Sequence, residues 1–468
     1  MGYSLGSALA DLIDNSITAQ AHQIRIEFRG EDPIHIAVID DGTGMGDSQL
    51  IEAMRHGSRC PDDLLEDGDL GRFGLGLKTA SLSQCRQMTV VSLREGEEPC
   101  GYCWDLDVVK AEKRWVLLEL ESVEIHSLPY VDQILSHGHG TVVLWEKLDR
   151  LLAGEEDPYG AIGQRIDEAR EHLSLVFHRY LSGEKGLRHL KILINGTAVA
   201  GIDPFLSEHS LTQKLEDDEF RIEGKRVRIK PFILPHPSRL SPGEAARAGG
   251  PEGLRAHQGF YVYRNKRLII WGNWFRLARK DELSRLARVR VDIPNSLDHL
   301  WTLDIRKSVA TPPDAVRRQL RRTVEKIRER SRVTHENRGH AERRGPVERG
   351  WTRVHAGGSV RYDINREHPA IAAFVEGLSP EASRSFESIL RIIEASFPIE
   401  SIYVDVASEQ RVDRVPNAKE VLGALAKDLL SGLPLGSAAR TALIANLHSI
   451  EPFSAHPNIA QELSRELS

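Results

Sequence analysis

The chain has only four cysteines in 468 residues. So few in so long a chain exclude a disulfide framework. Cys100 and Cys103 form one C-x-x-C without a second such pair, and Cys60 and Cys85 stand at spacings that do not complete a zinc site. The pair is therefore read as two strand residues near Trp104. No run of about 18 apolar residues occurs, so no membrane-spanning helix is expected. Asp11 and Asp14 interrupt the first apolar run, and the first residues lack the basic and apolar regions of a signal peptide, so a cytoplasmic protein is expected. No internal repeat is present. At 40% hydrophobic and 28% charged residues, the composition excludes a wholly disordered or collagen-like chain. At roughly 150 residues per domain the length allows about three domains. The net charge of −6 gives no global reason to expect nucleic acid.

What is present is local pattern. Leu5, Leu9, Leu12 and Ile13 recur at helical spacing, and Ile24–Phe28 alternates as a half-buried strand does. The apolar run 36–39 ends in Asp40-Asp41-Gly42-Thr43-Gly44, a strand entering a turn. Residues 57–71 are mostly polar, hold five acids, and read as a mobile loop before a Gly-rich turn and a helix through Leu82. Strands are expected near 88–93, 100–106 and 140–148, which ends a first unit, 1–150. A second, 151–312, begins with a helical connector near 160–182. It continues with a hairpin at Lys191–Val199 around Asn195-Gly196 and strands at 226–234, 259–264 and 287–293. Residues 236–255 read as a loop. A helix opens at Pro312-Pro313, leading into a basic helix and linker, 313–349. Within it, 317–349 holds 12 Lys or Arg against five Glu, a net +7. Residues 350–468 read as a small, mostly helical unit with one strand at Ser401–Val406.

Four short motifs carry chemistry. Asp11 and Asn15, four apart, share one helix face, where a carboxylate and an amide suit a general base and a metal ligand. Alone, such a pair is usually a solvated face. In Asp40-x-Gly42-x-Gly44 the glycines allow close backbone approach and the carboxylate can accept from an amino group; a plain turn explains it equally well. Gly71-Arg72-Phe73-Gly74-Leu75-Gly76-Leu77-Lys78-Thr79 misses the P-loop spacing, because Leu77 separates Gly76 from Lys78. A Gly-rich turn feeding a helix N-terminus still suits phosphate. Gly140-Thr141 opens a strand. His137 and His139, just before it, lack a third metal ligand and read as loop residues.

Taken in order and spacing, the four motifs resemble the GHKL superfamily of ATPases: gyrase B, MutL, the ninety-kilodalton heat-shock chaperones, histidine kinases and MORC proteins. The resemblance covers about residues 3–148. It implies an α/β (α+β) chain: a Bergerat-fold ATPase domain with helices layered on a mixed sheet, a ribosomal-protein-like transducer domain and a small helical C-terminal domain. It implies ATP and Mg²⁺ as cofactors, with 57–71 as a lid. Asp11 falls at the family's general base and Asn15 at its Mg²⁺ ligand. Asp40 falls at the adenine-reading carboxylate. Gly44 falls at the adenine pocket, with Gly42 and Met45 of the same motif as further ATP-binding residues, and Thr141 at the hydroxyl that supports the adenine site. Gly71, Gly74 and Gly76 match the phosphate loop, with Lys78 beyond it and Leu75 and Leu77 as further ATP-binding residues of the stretch. Most hydrolysing members have Glu where this chain has Asp11, so slow turnover is expected.

A histidine kinase would carry a phospho-acceptor helical pair ahead of the ATP domain, and almost nothing precedes the first helix here. The second unit is similar to the transducer of gyrase B, MutL and MORC, which implies a lysine reaching the γ-phosphate. Lys307, with Arg306 in reserve, occupies a suitable place. Gly2-Tyr3-Ser4, Asp14–Ser16 and Tyr263–Ile269 look most like prokaryotic MORC-like ATPases. That likeness implies a homodimer formed on ATP binding and acting on DNA, in restriction or phage defence, with a nuclease or methyltransferase partner. The basic stretch 317–349 offers phosphate contacts. No clustered His, Asp and Glu set marks a C-terminal nuclease. A non-catalytic nucleotide-gated scaffold and a chaperone-like ATPase acting on protein are the alternatives.

Overall fold

The computed structural model describes residues 3–29, 33–55, 76–154, 157–250, 253–281, 284–300, 302–303, 310–336, 348–356, 359–399, 401–402, 417–431 and 436–467. The chain divides into two compact units, Met1–Glu336 and Asn337–Ser468.

The first unit opens with α1 (Leu5–Thr18), capped by Ser4, whose Oγ accepts from Ser7 N at 3.2 Å. Its apolar face, Leu5, Leu9, Leu12 and Ile13, is fully inside. It leads into β1 (Gln23–Arg29) and β2 (His35–Asp40). Helices α2 (Asp47–Met54) and α3 (Gly76–Gln84) precede β3 (Gln87–Leu93) and β4 (Cys100–Asp105). After α4 (Leu106–Glu112) and β5 (Leu118–Glu119) come α5 (Ser122–Ser127), α6 (Val131–His137) and β6 (Gly140–Glu146). Then α7 (Pro158–Val176) and α8 (His178–Leu181) lead to β7 (Lys191–Ile194) and β8 (Thr197–Ala198).

These strands form one eight-stranded mixed sheet, ordered β5-β4-β3-β6-β2-β1-β7-β8, in which only the β1–β7 pair is parallel. Ile36 and Val38 of β2 pack with α1, α2, α3 and α7, while Ala37 and Ile39 pack with α5 and α6 on the other face. Both faces of β2 are covered, which is why it reads as an unbroken apolar run. The hairpin around Asn195-Gly196 forms, but β7 extends this first sheet through its pairing with β1 rather than opening the second.

The second sheet contains β9 (Gln213–Lys214), β10 (Asp218–Ile222), β11 (Lys225–Ile233), β12 (Gly259–Arg264), β13 (Arg267–Asn273) and β14 (Ala287–Ile293). Its order is β10-β11-β14-β12-β13, with β9 also on β11 and β12 parallel to β14. The stretch 236–255, read as a loop, contains α9 (Pro242–Gly249) and α10 (Gly253–Ala256). Ser241 caps α9 and Glu244 completes a reciprocal capping box. A two-stranded ladder, β15 (Thr302–Leu303) with β16 (Ala310–Thr311), precedes α11 (Asp314–Glu336). Val316, Leu320, Val324 and Ile327 of α11 share a core with Val227, Ile229, Val289 and Val291.

The second unit opens with a hairpin the sequence did not suggest, β17 (Trp351–Ala356) and β18 (Ser359–Ile364). It continues with α12 (Pro369–Glu376), α13 (Pro380–Ala395) and helices at Ala418–Ser431, Ala438–Asn446 and Pro457–Leu467. Leu422, Ala426, Leu447, Phe453, Ala460 and Leu463 form its core. Of the strand expected at Ser401–Val406, residues 401–402 are helical and the rest lies outside the described residues. Among the described residues no helix is long and apolar enough to cross a membrane.

Candidate functional site

The charged and Gly-bearing motifs of the first unit converge where α1, the end of β2, the start of β6 and α3 meet. Asp40 closes β2 and lies opposite Thr141 in the β2–β6 ladder. Its carboxylate is buried, accepting from Ser16 Oγ at 2.7 Å and from Gly42 N at 2.9 Å. Burial pushes its pKa up to about 6, against the hydrogen bonds from Ser16 and Gly42, which pull it down. An ionised carboxylate has about four lone-pair sites, so Asp40 retains acceptor capacity for a ligand amino group.

The turn after Asp40 is held by its neighbour. Asp41 Oδ1 accepts from His22 N at 2.7 Å and Gln23 N at 2.9 Å. Gly44 has φ +67°, and a Cβ there would lie 1.8 Å from the Leu93 carbonyl oxygen. Only glycine fits that position. Met45 N donates to Ser92 Oγ at 2.9 Å, and the same hydroxyl lies 2.9 Å from Thr141 Oγ1 and donates to Gly140 O at 3.2 Å. Ser92 thus ties the Gly44-Met45 turn to the Gly140-Thr141 strand. Reading the motifs separately missed it, because Ser92 is an ordinary strand residue in sequence. Ser16 was visible as part of Asp14-Asn15-Ser16, but not as the donor to Asp40.

On α1, Asp11 is buried and Asn15 is exposed. A Cβ added to Gly76, the first residue of α3, would lie 3.9 Å from Asp11 Oδ2. The third motif's helix start therefore lies against the first motif's carboxylate. Leu77 packs partly buried on the main core. Lys78 is buried, with its ammonium donating to the Arg55 carbonyl at the end of α2. Burial pulls its pKa down, and nearby Glu52 opposes that. Gly71, Gly74 and Leu75, with the expected lid 57–71, lie outside the described residues, as do Arg306 and Lys307.

His137 and His139 separate in role. His139 Nδ1 is 2.8 Å from Gly42 O, against the turn, while His137 Nδ1 is 2.7 Å from Gln133 O on its own helix. Among the described residues no cluster of three His, Cys, Asp or Glu could hold a metal. Cys100 and Cys103 lie in β4, where a spacing of three puts them on opposite faces.

Residues 3–141 match the family model described as histidine kinase-, DNA gyrase B-, and HSP90-like ATPase. The chain is similar to ATPase morc-1 of Caenorhabditis elegans, 29% identical over 93 residues, which are 19% of this chain and 10% of that protein. It is also similar to DNA mismatch repair protein MutL of Koribacter versatilis, 38% identical over 102 residues, 20% of this chain and 15% of that protein. The matches therefore span a small fraction of those relatives. A solved N-terminal domain of a DNA repair protein aligns over 70% of this chain and 96% of its own, at 16% identity and a TM-score of 0.42.

Proposed function

We propose, from the placement of residues 3–141 in the histidine kinase-, gyrase B- and HSP90-like ATPase family, that this chain is an ATP-driven switch. The observation that carries the reading is Asp40. It is a buried carboxylate fixed by Ser16 and Gly42, beside a Cβ-less turn and opposite Thr141. An adenine amino group is a donor suited to such an acceptor, and Gly42, Gly44 and Met45 form the turn beside it.

In this reading, the helix start at Gly76-Leu77 offers amide donors to phosphate, with Gly71, Gly74 and Leu75 leading into it. Lys78 leaves the Arg55 carbonyl to add charge. Asn15, exposed one turn beyond Asp11, holds Mg²⁺, which supplies charge neutralisation when bound. Asp11 takes the proton from the attacking water, and Lys307 stabilises charge on the transferring phosphoryl group. ATP brings two copies together, and the closed dimer engages DNA. The similarity to MutL and MORC ATPases supports that last step, as does the outward face of α11, where Arg318, Arg321, Arg322 and Lys326 are exposed.

The test is nucleotide binding and hydrolysis by wild type, Asp40→Asn and Asp11→Ala. Wild type should bind and hydrolyse ATP, Asp40→Asn should lose binding, and Asp11→Ala should keep binding without turnover. A wild-type protein that neither binds nor hydrolyses ATP refutes the reading. Tight binding and nucleotide-dependent dimers without phosphate release would make it a scaffold instead.

A further inference from the structure

We infer that Arg267, far from the nucleotide site in sequence, is a positioning residue for it, setting the rotation of α1 through Asp14. The inference rests on the nucleotide reading above and adds a residue to it.

Asp14 and Arg267 form an ion pair inside the protein, Nε to Oδ1 at 3.2 Å, with side chains only 3% and 7% exposed. Arg267 is the first residue of β13, directly after the Asn265-Lys266 turn, whose φ values of +45° and +70° close a tight hairpin. That hairpin tip is anchored against the helices. Tyr180 OH donates to Asn265 O at 2.6 Å, and the Arg267 guanidinium lies 5.8 Å from the centre of the Phe177 ring. Arg267 also donates to the Leu268 carbonyl. The second sheet therefore reaches α1 through a directional contact on a held hairpin.

The place of Asp14 on α1 gives the contact its consequence. Successive residues turn by about 100°. Measured from Asp11, Asp14 lies about 60° to one side, while Asn15 and Ser16 lie about 40° and 140° to the other. Asp14 and Ser16 thus flank the two residues assigned to chemistry. Ser16 is bonded to Asp40 on one flank and Asp14 to Arg267 on the other. The remaining hold on α1 includes its packed apolar face, and apolar packing is non-directional. Two polar bonds on opposite flanks fix the roll of the helix, and the roll decides where Asp11 and Asn15 point. A shift of the second sheet moves one of the two clamps.

The experiment removes both charges together, Asp14→Asn with Arg267→Met, so that neither is left buried alone. Three quantities are read in the full chain: binding of a non-hydrolysable ATP analogue, kcat and KM for ATP, and amide exchange along α1. The double variant should fold and, without Mg²⁺, bind the analogue like wild type, since Asp40 is untouched. Its kcat should fall about tenfold with KM unchanged, and exchange over 11–16 should quicken. A folded double variant with wild-type kcat and wild-type exchange overturns the inference, as does a KM that rises in step with the loss of kcat. If wild type itself neither binds the analogue nor hydrolyses ATP, the nucleotide reading fails. The exchange arm then decides separately whether the pair holds α1, and unchanged exchange overturns it.

Discussion

Ser16 Oγ donates to Asp40 Oδ2 at 2.7 Å, joining the first helix to the end of the second strand inside the protein. Ser16 Oγ also lies 3.3 Å from the Leu12 carbonyl one turn back, a second and longer acceptor for its single hydrogen. The bond lowers the proton affinity of a carboxylate that burial raises. Removing it in Ser16→Ala should raise the pKa of Asp40 by about one unit, the worth of one charged hydrogen bond. Nucleotide affinity measured from pH 5.5 to 8, with wild type in parallel, should show the midpoint of the pH dependence moving up. An unshifted midpoint would mean that Ser16 does not tune the carboxylate.

The same carboxylate sets a pH dependence in wild type. Its pKa is raised from 3.8 to about 6. Affinity for an adenine amino donor should be full above that value and fall as Asp40 takes up a proton below it. The fold responds with the opposite sign. A raised pKa means that stability is present below about 4 and lost as pH rises through about 6, a cost of about 3 kcal/mol at neutral pH. Urea unfolding at pH 4.5 and 7.5 should show Asp40→Asn gaining on wild type at the higher pH. An equal difference at both would contradict the burial cost.

Gly44→Ala should be among the most damaging single substitutions in the first unit. A Cβ at φ +67° would lie 1.8 Å from the Leu93 carbonyl, a rigid strand atom. The turn must move or the strand must bend, at about 3 kcal/mol or more. A lowered melting temperature and lost nucleotide binding are the expected results. Wild-type binding in this variant would take Gly44 out of the site.

The exposed face of α11 gives a separable prediction. Arg318→Glu, Arg321→Glu and Arg322→Glu leave the buried Val316, Leu320 and Val324 untouched, so the fold and ATP turnover should be retained. DNA affinity should fall, and the slope of its salt dependence should drop by about three phosphate contacts. Wild-type DNA binding in the triple variant, or none in wild type at low salt, would move the partner away from DNA at this face.

Much of the first unit was legible because its signals are local. The alternation of Ile24–Phe28, the apolar run into Asp40 and the Asn195-Gly196 turn each report a backbone state over a few residues. Helix α9 was also written locally, in Ser241, Pro242 and Glu244, but the Pro, Gly and Ala around them mask any periodicity. The hairpin at 351–364 was missed as well. A whole-chain charge sum is also blind to position: 317–349 carries a net +7 within a chain of net −6.

By itself the sequence determined the helix and strands whose pattern is local, such as Leu5–Thr18, the strand through 24–28 and the run into Asp40. It also placed Asp11, Asn15, Asp40 and the glycines at a spacing that resembles the GHKL motifs. Only the tertiary structure decided which side chains meet. Ser16 and Asp40 lie 24 residues apart, Met45 and Ser92 lie 47 apart, and Asp14 and Arg267 lie 253 apart. No local pattern encodes such pairs. They form because strand order and helix packing close long loops, and a buried polar group then takes whatever partner that closure brings within hydrogen-bond reach.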